Sequence, residues 1–226
     1  YKLKTLVSIF VNPKQFNKKS DFLSYPRDGK RDIKILKKLK IDYLYTPTVK
    51  DIYNFKTKNK IYLDKFSKKL CGKYRKSHFS GVINVMNRFI EIVKPKNIFM
   101  GKKDYQQLYL LKKFVFKRNI KSKVIECETI REKNGVACSS RNSLLKKNDI
   151  KIASDIYLFI NKIKKKYNTY SSKFIKNEII KLGANKIDYV ENYNIKKSFK
   201  KSKMYNKNCR IFIAYYIKNI RLIDNI

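Results

Sequence analysis

The sequence predicts a doubly wound α/β fold followed by a smaller α+β unit. Short β-branched apolar runs alternate with amphipathic helical stretches over residues 1–128. Strands that alternate with helices imply parallel pairing through right-handed crossovers. From residue 129 onward two helical stretches come first and strand-like runs follow, an order typical of α+β domains. We therefore expect two domains, residues 1–128 and residues 129–226, with the boundary near residues 127–130.

The first predicted strands are apolar runs that stop at a proline. Residues 5–13 read TLVSIFVNP and residues 41–47 read IDYLYTP, so each run feeds a loop. The helix between them is predicted from three apolar residues at helical spacing, namely Ile33, Leu36 and Leu39. Residues 51–76 are polar and irregular, with one candidate strand at residues 61–63.

The next segment has the clearest helical periodicity. One apolar stripe ends just before Pro95 and consists of Val82, Val85, Met86, Phe89, Ile90 and Val93. NIFMG, at residues 97–101, is then a short strand. A second amphipathic helix follows over residues 104–118, and its inner face carries Leu108, Leu111 and Val115. KVIECETI, at residues 123–130, is the next predicted strand.

The second domain is predicted from four stretches. Residues 149–167 and 171–182 are helical in pattern, whereas residues 187–190 and 210–217 are strand-like. This order predicts helices packed on an antiparallel sheet.

Composition and cysteine usage limit the class of protein. A hydrophobic content of 43% and an aromatic content of 14% support a packed core. No apolar run reaches the length of a membrane span, and no signal peptide is visible. The four cysteines lie far apart and only one histidine is present, which argues against a disulfide framework or a zinc site. We expect a reduced, cytoplasmic protein.

The formal net charge of +39 raises the alternative of a nucleic-acid-binding protein. However, lysines are spread along the whole chain among Ile, Asn, Tyr and Phe, residues that share A/T-rich codons. A nucleic-acid module would instead cluster its basic residues with exposed aromatic side chains. We therefore expect a solvated lysine surface and no specific nucleic-acid partner, with nonspecific RNA binding at low salt.

One loop combines side chains that suit a phosphate group. Residues 135–145 read GVACSSRNSLL, and arginine is scarce, with nine in the chain. The hydroxyls of Ser139 and Ser140 beside the five-donor fork of Arg141 match phosphate oxygens. The alternative is that the two serines cap a following helix.

Two further loops follow predicted strands, where ligands bind in open α/β sheets. NPKQF places Gln15 after the first strand, and GKKDYQQ places Gly101 between a strand and a helix. A glycine there admits a ligand close to the backbone, and the helix N-terminus offers free N–H groups. Alternatively, Gly101 is a turn residue, Asp104 caps the helix and Gln107 lies on a solvated face.

Taken together, these segments resemble one family. The motifs VSIFVNPKQF, YPRD, HFSGVINVMNRFIEIVKP, GKKDYQQL, GVACSSRNSLL and RLIDN occur in order over residues 6–225 and resemble the pantothenate synthetase (pantoate–β-alanine ligase) family. The resemblance implies a Rossmann-like nucleotidyltransferase domain with a parallel sheet, here without its first strand, and a small C-terminal domain, in a homodimer. It also implies ATP- and Mg²⁺-dependent condensation of pantoate with β-alanine, releasing AMP and pyrophosphate through a pantoyl-adenylate.

The resemblance also implies roles for individual residues. Gln15 and Gln107 match the glutamines that bind pantoate and β-alanine. The ATP-binding positions are Gly101, Lys102, Lys103, Asp104, Ile130, Cys138, Ser139, Ser140 and Arg141. Within this set Gly101 makes room for adenosine, Asp104 suits a ribose hydroxyl, and Lys103 and Arg141 are the catalytic cations that reach phosphate. No metal ligand is assigned. Gln15 and Gln107 together argue against other nucleotidyl-transferring enzymes of the superfamily.

The chain also departs from the family pattern. The family carries a catalytic His-x-Gly-His motif upstream of VSIFVNP, and none occurs here. Because the chain starts at Tyr1, we expect a fragment with negligible activity alone; the alternative is a decayed, noncatalytic remnant. Lys102 stands where an acid is usual, and Cys138 occupies an apolar position. For Arg75 and His78 two interpretations stay open, capping and packing or holding substrate.

Overall fold

The computed structural model describes residues 3–17, 19–54, 56, 58–196, 199–203 and 205–226. Its strands are β1 (Leu6–Ser8), β2 (Tyr43–Tyr45), β3 (Asn97–Gly101), β4 (Lys123–Cys127), β5 (Lys186–Asn194), β6 (Lys200–Lys201), β7 (Cys209–Ile217) and β8 (Ile220–Asn225). Its helices are α1 (Lys19–Leu23), α2 (Gly29–Lys38), α3 (Val49–Tyr53), α4 (Cys71–Tyr74), α5 (His78–Val93), α6 (Tyr105–Lys117), α7 (Lys147–Ile163) and α8 (Ser172–Lys181). Short 3-10 turns cover Pro13–Gln15, Lys65–Lys68, Lys102–Asp104, Ser140–Leu144 and Lys164–Thr169.

The first half of the chain contains two parallel strand pairs. β1 pairs with β2, and β3 pairs with β4 in a register that places Gly101 opposite Cys127. A parallel pair needs a crossover, which helices supply in both cases, so the predicted α/β class is confirmed. The shared register brings the loops that follow β3 and β4 to one edge.

Two strand predictions in this half differ from the structure. The strand predicted over residues 5–13 ends at Ser8, because Asn12 instead caps the 3-10 turn at Pro13–Gln15 by accepting a hydrogen bond from the Lys14 N–H. The candidate strand at residues 61–63 has no regular structure. The helices predicted at residues 82–93 and 104–118 are confirmed as α5 and α6.

The second half forms an antiparallel sheet in the order β6-β5-β7-β8. The predicted helices and two of these strands are confirmed, whereas β6 and β8 were not predicted. The turn between β7 and β8 carries no glycine or proline, and Lys218 takes the left-handed conformation with φ 53°. Asn219 alone, without a glycine beside it, is a weak sign of a hairpin.

The antiparallel sheet is buried on both faces. Along β7, Phe212 and Ala214 join a cluster with α5 and α6, whereas Ile211, Ile213 and Tyr215 join a cluster with α7 and α8. Neighbouring residues of a strand point to opposite faces, so one strand serves two cores. By contrast, the apolar stripe of α2 is only partly covered by the described residues, since Ile33 and Leu39 are exposed and Leu36 is half-buried. Within those residues, no helix combines the length and apolar character that a bilayer span needs.

Candidate active site

A cavity of about 400 Å³ lies between the first half of the chain and the antiparallel sheet. Its walls come from the loop after β1, the turn after β3, the loop before α7, and strands β7 and β8. Eight of the residues predicted from the sequence line it: Gln15, Lys103, Asp104, Gln107, Cys138, Ser139, Ser140 and Arg141. Segments that are far apart in the sequence therefore meet around one space.

Three other predicted residues lie outside the cavity lining. Ile130 is 71% exposed, and Gly101 has no neighbour within 4 Å of the position that a Cβ would occupy. The Lys102 ammonium turns to the end of β4, where it pairs with Glu128 and lies 3.7 Å from Glu126. Nucleotide contacts of these three residues stay predictions.

The backbone of the Gln15 loop is packed directly against α5. The Asn12 side chain donates a hydrogen bond to the Gly81 carbonyl at 3.0 Å. A Cβ on Gly81 would lie 2.7 Å from the Lys14 carbonyl oxygen, which is too close for any side chain. Glycine at this position thus permits the close approach that brings Gln15 to the cavity.

The Gln15 carbonyl accepts two side-chain hydrogen bonds, from His78 Nδ1 at 2.8 Å and from Arg75 Nη2 at 3.0 Å. Because a carbonyl only accepts, Nδ1 carries the imidazole proton, which leaves His78 Nε2 as the acceptor that faces Arg75 Nη1 at 3.4 Å. Burial, reinforced by the charge of Arg75, lowers the pKa of His78 to about 4. His78 is therefore neutral near pH 7.

The two glutamines of the DYQQ segment have different environments. Gln106 is buried, donates to the carbonyls of Phe66 and Lys69, and accepts from the Cys71 N–H. It holds the chain before α4 against α6. Gln107, the next residue, lines the cavity and is the glutamine that a ligand can reach.

The turn that carries Lys103 is held by the last strand. Asn225, 2% exposed, donates from its Nδ2 to the carbonyls of Lys102 at 2.9 Å and Lys103 at 2.8 Å. Arg210 donates to the Asn225 Oδ1 at 2.7 Å and fixes the orientation of the amide. Sequence reasoning missed this contact, although the RLIDN motif contains the residue.

The hydroxyl-arginine loop contacts α1 and the residues just after it. The Ser140 hydroxyl donates to the Tyr25 hydroxyl at 2.9 Å, and the Ser139 side chain accepts from the Arg141 N–H. Arg141 Nη2 lies 3.1 Å from Asp21 Oδ1, and its guanidinium stacks over the Tyr25 ring. An anion that binds Arg141 must therefore share it with Asp21 or displace that carboxylate.

A third group of polar side chains lies deeper in the cavity and was also missed. Arg221 donates to the buried Asp188 carboxylate at 2.8 Å, and both its Nη atoms approach the Cys71 sulfur. The Cys71 sulfur is 3.0 Å from the Tyr189 hydroxyl. With Arg75 nearby, two guanidinium groups line this end of the cavity, and the Asp188 carboxylate that pairs with Arg221 is buried outside the lining.

The chemistry of the lining suits a polyanionic ligand beside a polar organic acid. Cations and hydroxyls from the Lys103 turn and the hydroxyl-arginine loop can bind phosphate oxygens, while Gln15 and Gln107 offer amide donors and acceptors. The described residues contain no group of three His, Cys, Asp or Glu side chains able to hold a metal.

Comparison with known proteins gives consistent matches over nearly the whole chain. A family model described as pantoate-beta-alanine ligase matches residues 2–226. The pantothenate synthetase of Francisella philomiragia is 39% identical over 222 residues, covering 98% of this chain and 78% of that protein. The crystal structure of pantoate-beta-alanine ligase from Francisella tularensis, complexed with beta-gamma ATP and beta-alanine, superposes with a TM-score of 0.84 at 38% identity, covering 99% of this chain and 78% of the other. The pantothenate synthetase of Thermus thermophilus gives a TM-score of 0.88 at 27% identity, covering 99% and 83%.

Proposed function

Since this chain belongs to the pantoate-beta-alanine ligase family, we propose that its cavity joins pantoate to β-alanine at the expense of ATP, through a pantoyl-adenylate. The observation that carries the assignment of residues is the convergence of the Gln15 loop, the Lys103 turn and the hydroxyl-arginine loop on one cavity. Two substrates must meet in line for adenylation, so a single cavity with separate polar regions is what the reaction needs.

At the pantoate end, Gln15 and Gln107 bind the hydroxyl and carboxylate oxygens of the acid. Both side chains face the cavity from rigid supports, since Gln15 ends a turn that is fixed on α5 and Gln107 lies on the first turn of α6. Such fixed amides orient the pantoate carboxylate toward the α-phosphorus of ATP. Holding the two reacting groups in this orientation raises the rate of adenylation.

At the phosphate end, Lys103, Ser139, Ser140 and Arg141 bind the triphosphate. Negative charge accumulates on the α-phosphate and on the leaving pyrophosphate as the carboxylate attacks, and fixed cations and donors stabilise that charge. Arg141 supplies two parallel donors that a lysine cannot provide. The open space beside Gly101 accommodates adenosine, with Asp104 near a ribose hydroxyl and with Lys102, Ile130 and Cys138 making outer contacts.

Mg²⁺ enters as part of the nucleotide substrate. The absence of a three-residue ligand cluster among the described residues supports binding through phosphate oxygens and water, the usual mode for this ion. When bound, it neutralises phosphate charge during adenylation. In the second half-reaction the β-alanine amine attacks the pantoyl carbonyl and AMP leaves.

Three further features of the family are proposed for this chain. We expect a homodimer in solution, a cytoplasmic location, and a division into the domains 1–128 and 129–226. Light scattering during gel filtration tests the dimer directly.

The residue assignment is tested with Arg141→Lys and Lys103→Met. Losing one charge-assisted hydrogen bond to phosphate costs about 1.5–3 kcal/mol, so the affinity for ATP should fall roughly tenfold to a hundredfold. Calorimetry measures this affinity without turnover, which is needed because these 226 residues contain no His-x-Gly-His motif and negligible activity is expected of them alone.

Lys102→Met is the matched control for the lysine. Its ammonium is paired with Glu128 and directed away from the cavity, so the change should weaken ATP binding far less than Lys103→Met does. Equal effects of the two lysine variants, or wild-type affinity for ATP in Arg141→Lys, would contradict the assignment. Thermal stabilisation by RNA but not by ATP at moderate salt would support the nucleic-acid alternative instead.

A further inference from the structure

Arg75 is a cavity-lining guanidinium for which no carboxylate lies within ion-pair distance among the described residues. Its guanidinium donates hydrogen bonds to the Gln15 carbonyl and to the unprotonated Nε2 of His78. The two other arginines of the cavity differ in this respect, because Arg141 pairs with Asp21 and Arg221 pairs with Asp188. Among the described residues, Arg75 is therefore the arginine of this cavity that lacks a carboxylate partner.

The surroundings of Arg75 make that imbalance costly. Burial, together with the charges of Arg221 and Arg141, lowers the pKa of Arg75, while Cys71 and Asp21 act in the opposite direction. His78 adds no compensating charge because it is neutral. A half-buried cation beside like charges is unfavourable unless an anion binds to it, and arginine prefers a carboxylate in the bidentate geometry.

The substrates of the proposed reaction include three anionic groups, and two of them have partners. The triphosphate meets Lys103 and the hydroxyl-arginine loop, and the pantoate carboxylate must face the α-phosphate because it is the attacking group. The carboxylate of β-alanine takes no part in bond formation and persists in the product. It needs a permanent cation that lies near pantoate, and Arg75 is bonded to the backbone of the pantoate-binding residue Gln15.

We propose that Arg75 binds the carboxylate of β-alanine, and of the pantothenate formed from it, and so selects an amino acid over a simple amine. This inference rests on the proposed function. Arg75 forms and breaks no covalent bond; it contributes charge-assisted hydrogen bonds that place the free amine toward the pantoyl carbonyl. It also carries a second role, since the same guanidinium holds the Gln15 carbonyl.

The test compares pantothenate with panthenol, in which a hydroxymethyl group replaces the carboxylate and the pantoyl amide is unchanged. Calorimetric titration measures both affinities without any turnover. The wild-type chain should bind pantothenate at least tenfold more tightly than panthenol. In Arg75→Met that ratio should fall to within about twofold, and Arg75→Lys should keep an intermediate ratio because it retains the charge but not the fork.

His78→Gln is the matched control, because His78 bonds to the same Gln15 carbonyl but carries no charge. It should weaken both ligands by a similar factor and keep the ratio of the wild type. If Arg75→Met also keeps the wild-type ratio, whatever the absolute affinities, the inference is overturned and Arg75 only positions Gln15. ATP titration of the same samples tests the proposed function separately. A wild-type chain that does not bind ATP would contradict the proposed function, whereas an unchanged ratio in Arg75→Met contradicts only the role of Arg75.

Discussion

The contact between Asn225 and the Lys103 turn gives the sharpest prediction. Asn225→Asp preserves the shape of the side chain and the acceptor for Arg210, but it removes the donor that serves the carbonyls of Lys102 and Lys103. Losing a buried donor to two carbonyls costs about 2 kcal/mol in the free energy of unfolding, since each bond contributes roughly 0.5–1.5 kcal/mol. The new carboxylate would also repel both carbonyl oxygens.

The displaced turn should bind the nucleotide less well. We expect ATP affinity to fall roughly tenfold, equivalent to about 1.4 kcal/mol, because the Lys103 ammonium no longer meets the phosphates. Calorimetry measures the affinity, and urea unfolding measures the stability. Asn185→Asp is the control, since Asn185 is exposed and uses only its side-chain oxygen, to accept from the Lys218 N–H. A variant at position 225 that loses stability but binds ATP like the wild type would refute a positioning role.

Three further outcomes are expected. The pKa of His78 is about 4 in the folded chain and an ordinary 6.5 in the unfolded chain, so the unfolded chain takes up a proton more readily. The free energy of unfolding should therefore fall by about 3 kcal/mol as the pH drops from 6.5 to 4. Urea unfolding at the two pH values measures this loss, and His78→Gln should not show it. Asp21→Asn frees Arg141 and removes a carboxylate near the phosphates, so ATP should bind a few-fold more tightly, and weaker binding would mean that Asp21 orients the arginine. Gly81→Ala favours the helix by about 1 kcal/mol, but its Cβ would collide with backbone atoms at Lys14. The free energy of unfolding, measured in urea, should therefore fall by a net amount of about 1–3 kcal/mol. Pantoate binding, measured by calorimetry, should also weaken.

Features that depend on residues close together in the sequence were predictable. The parallel pairs and the helices α5 and α6 follow from hydrophobic periodicity, which is a local property. The motif residues Gln15, Lys103 and Arg141 could be located because each follows a recognisable loop pattern. The β7–β8 hairpin escaped prediction because its two-residue turn, Lys218-Asn219, has neither the glycine nor the proline that most clearly marks a hairpin.

The missed features are contacts between distant residues. Asn225 and Lys103 are 122 residues apart, and Arg75 and Gln15 are 60 apart, so no local pattern predicts that they meet. Likewise, the spacing of residues in GKKD does not tell which lysine faces the cavity; the carboxylates at the end of β4 determine that Lys102 turns away.

The two-faced packing of β7 has a consequence for how the molecule comes apart. A strand whose alternate side chains belong to different hydrophobic clusters cannot leave one of them without exposing the other to water. We therefore expect that residues 1–128 and 129–226 do not melt as independent units. Heating should give a single cooperative transition, and a piece cut after residue 128 would leave the rings of α5 and α6 without the aromatic cover that Tyr189 and Phe212 provide.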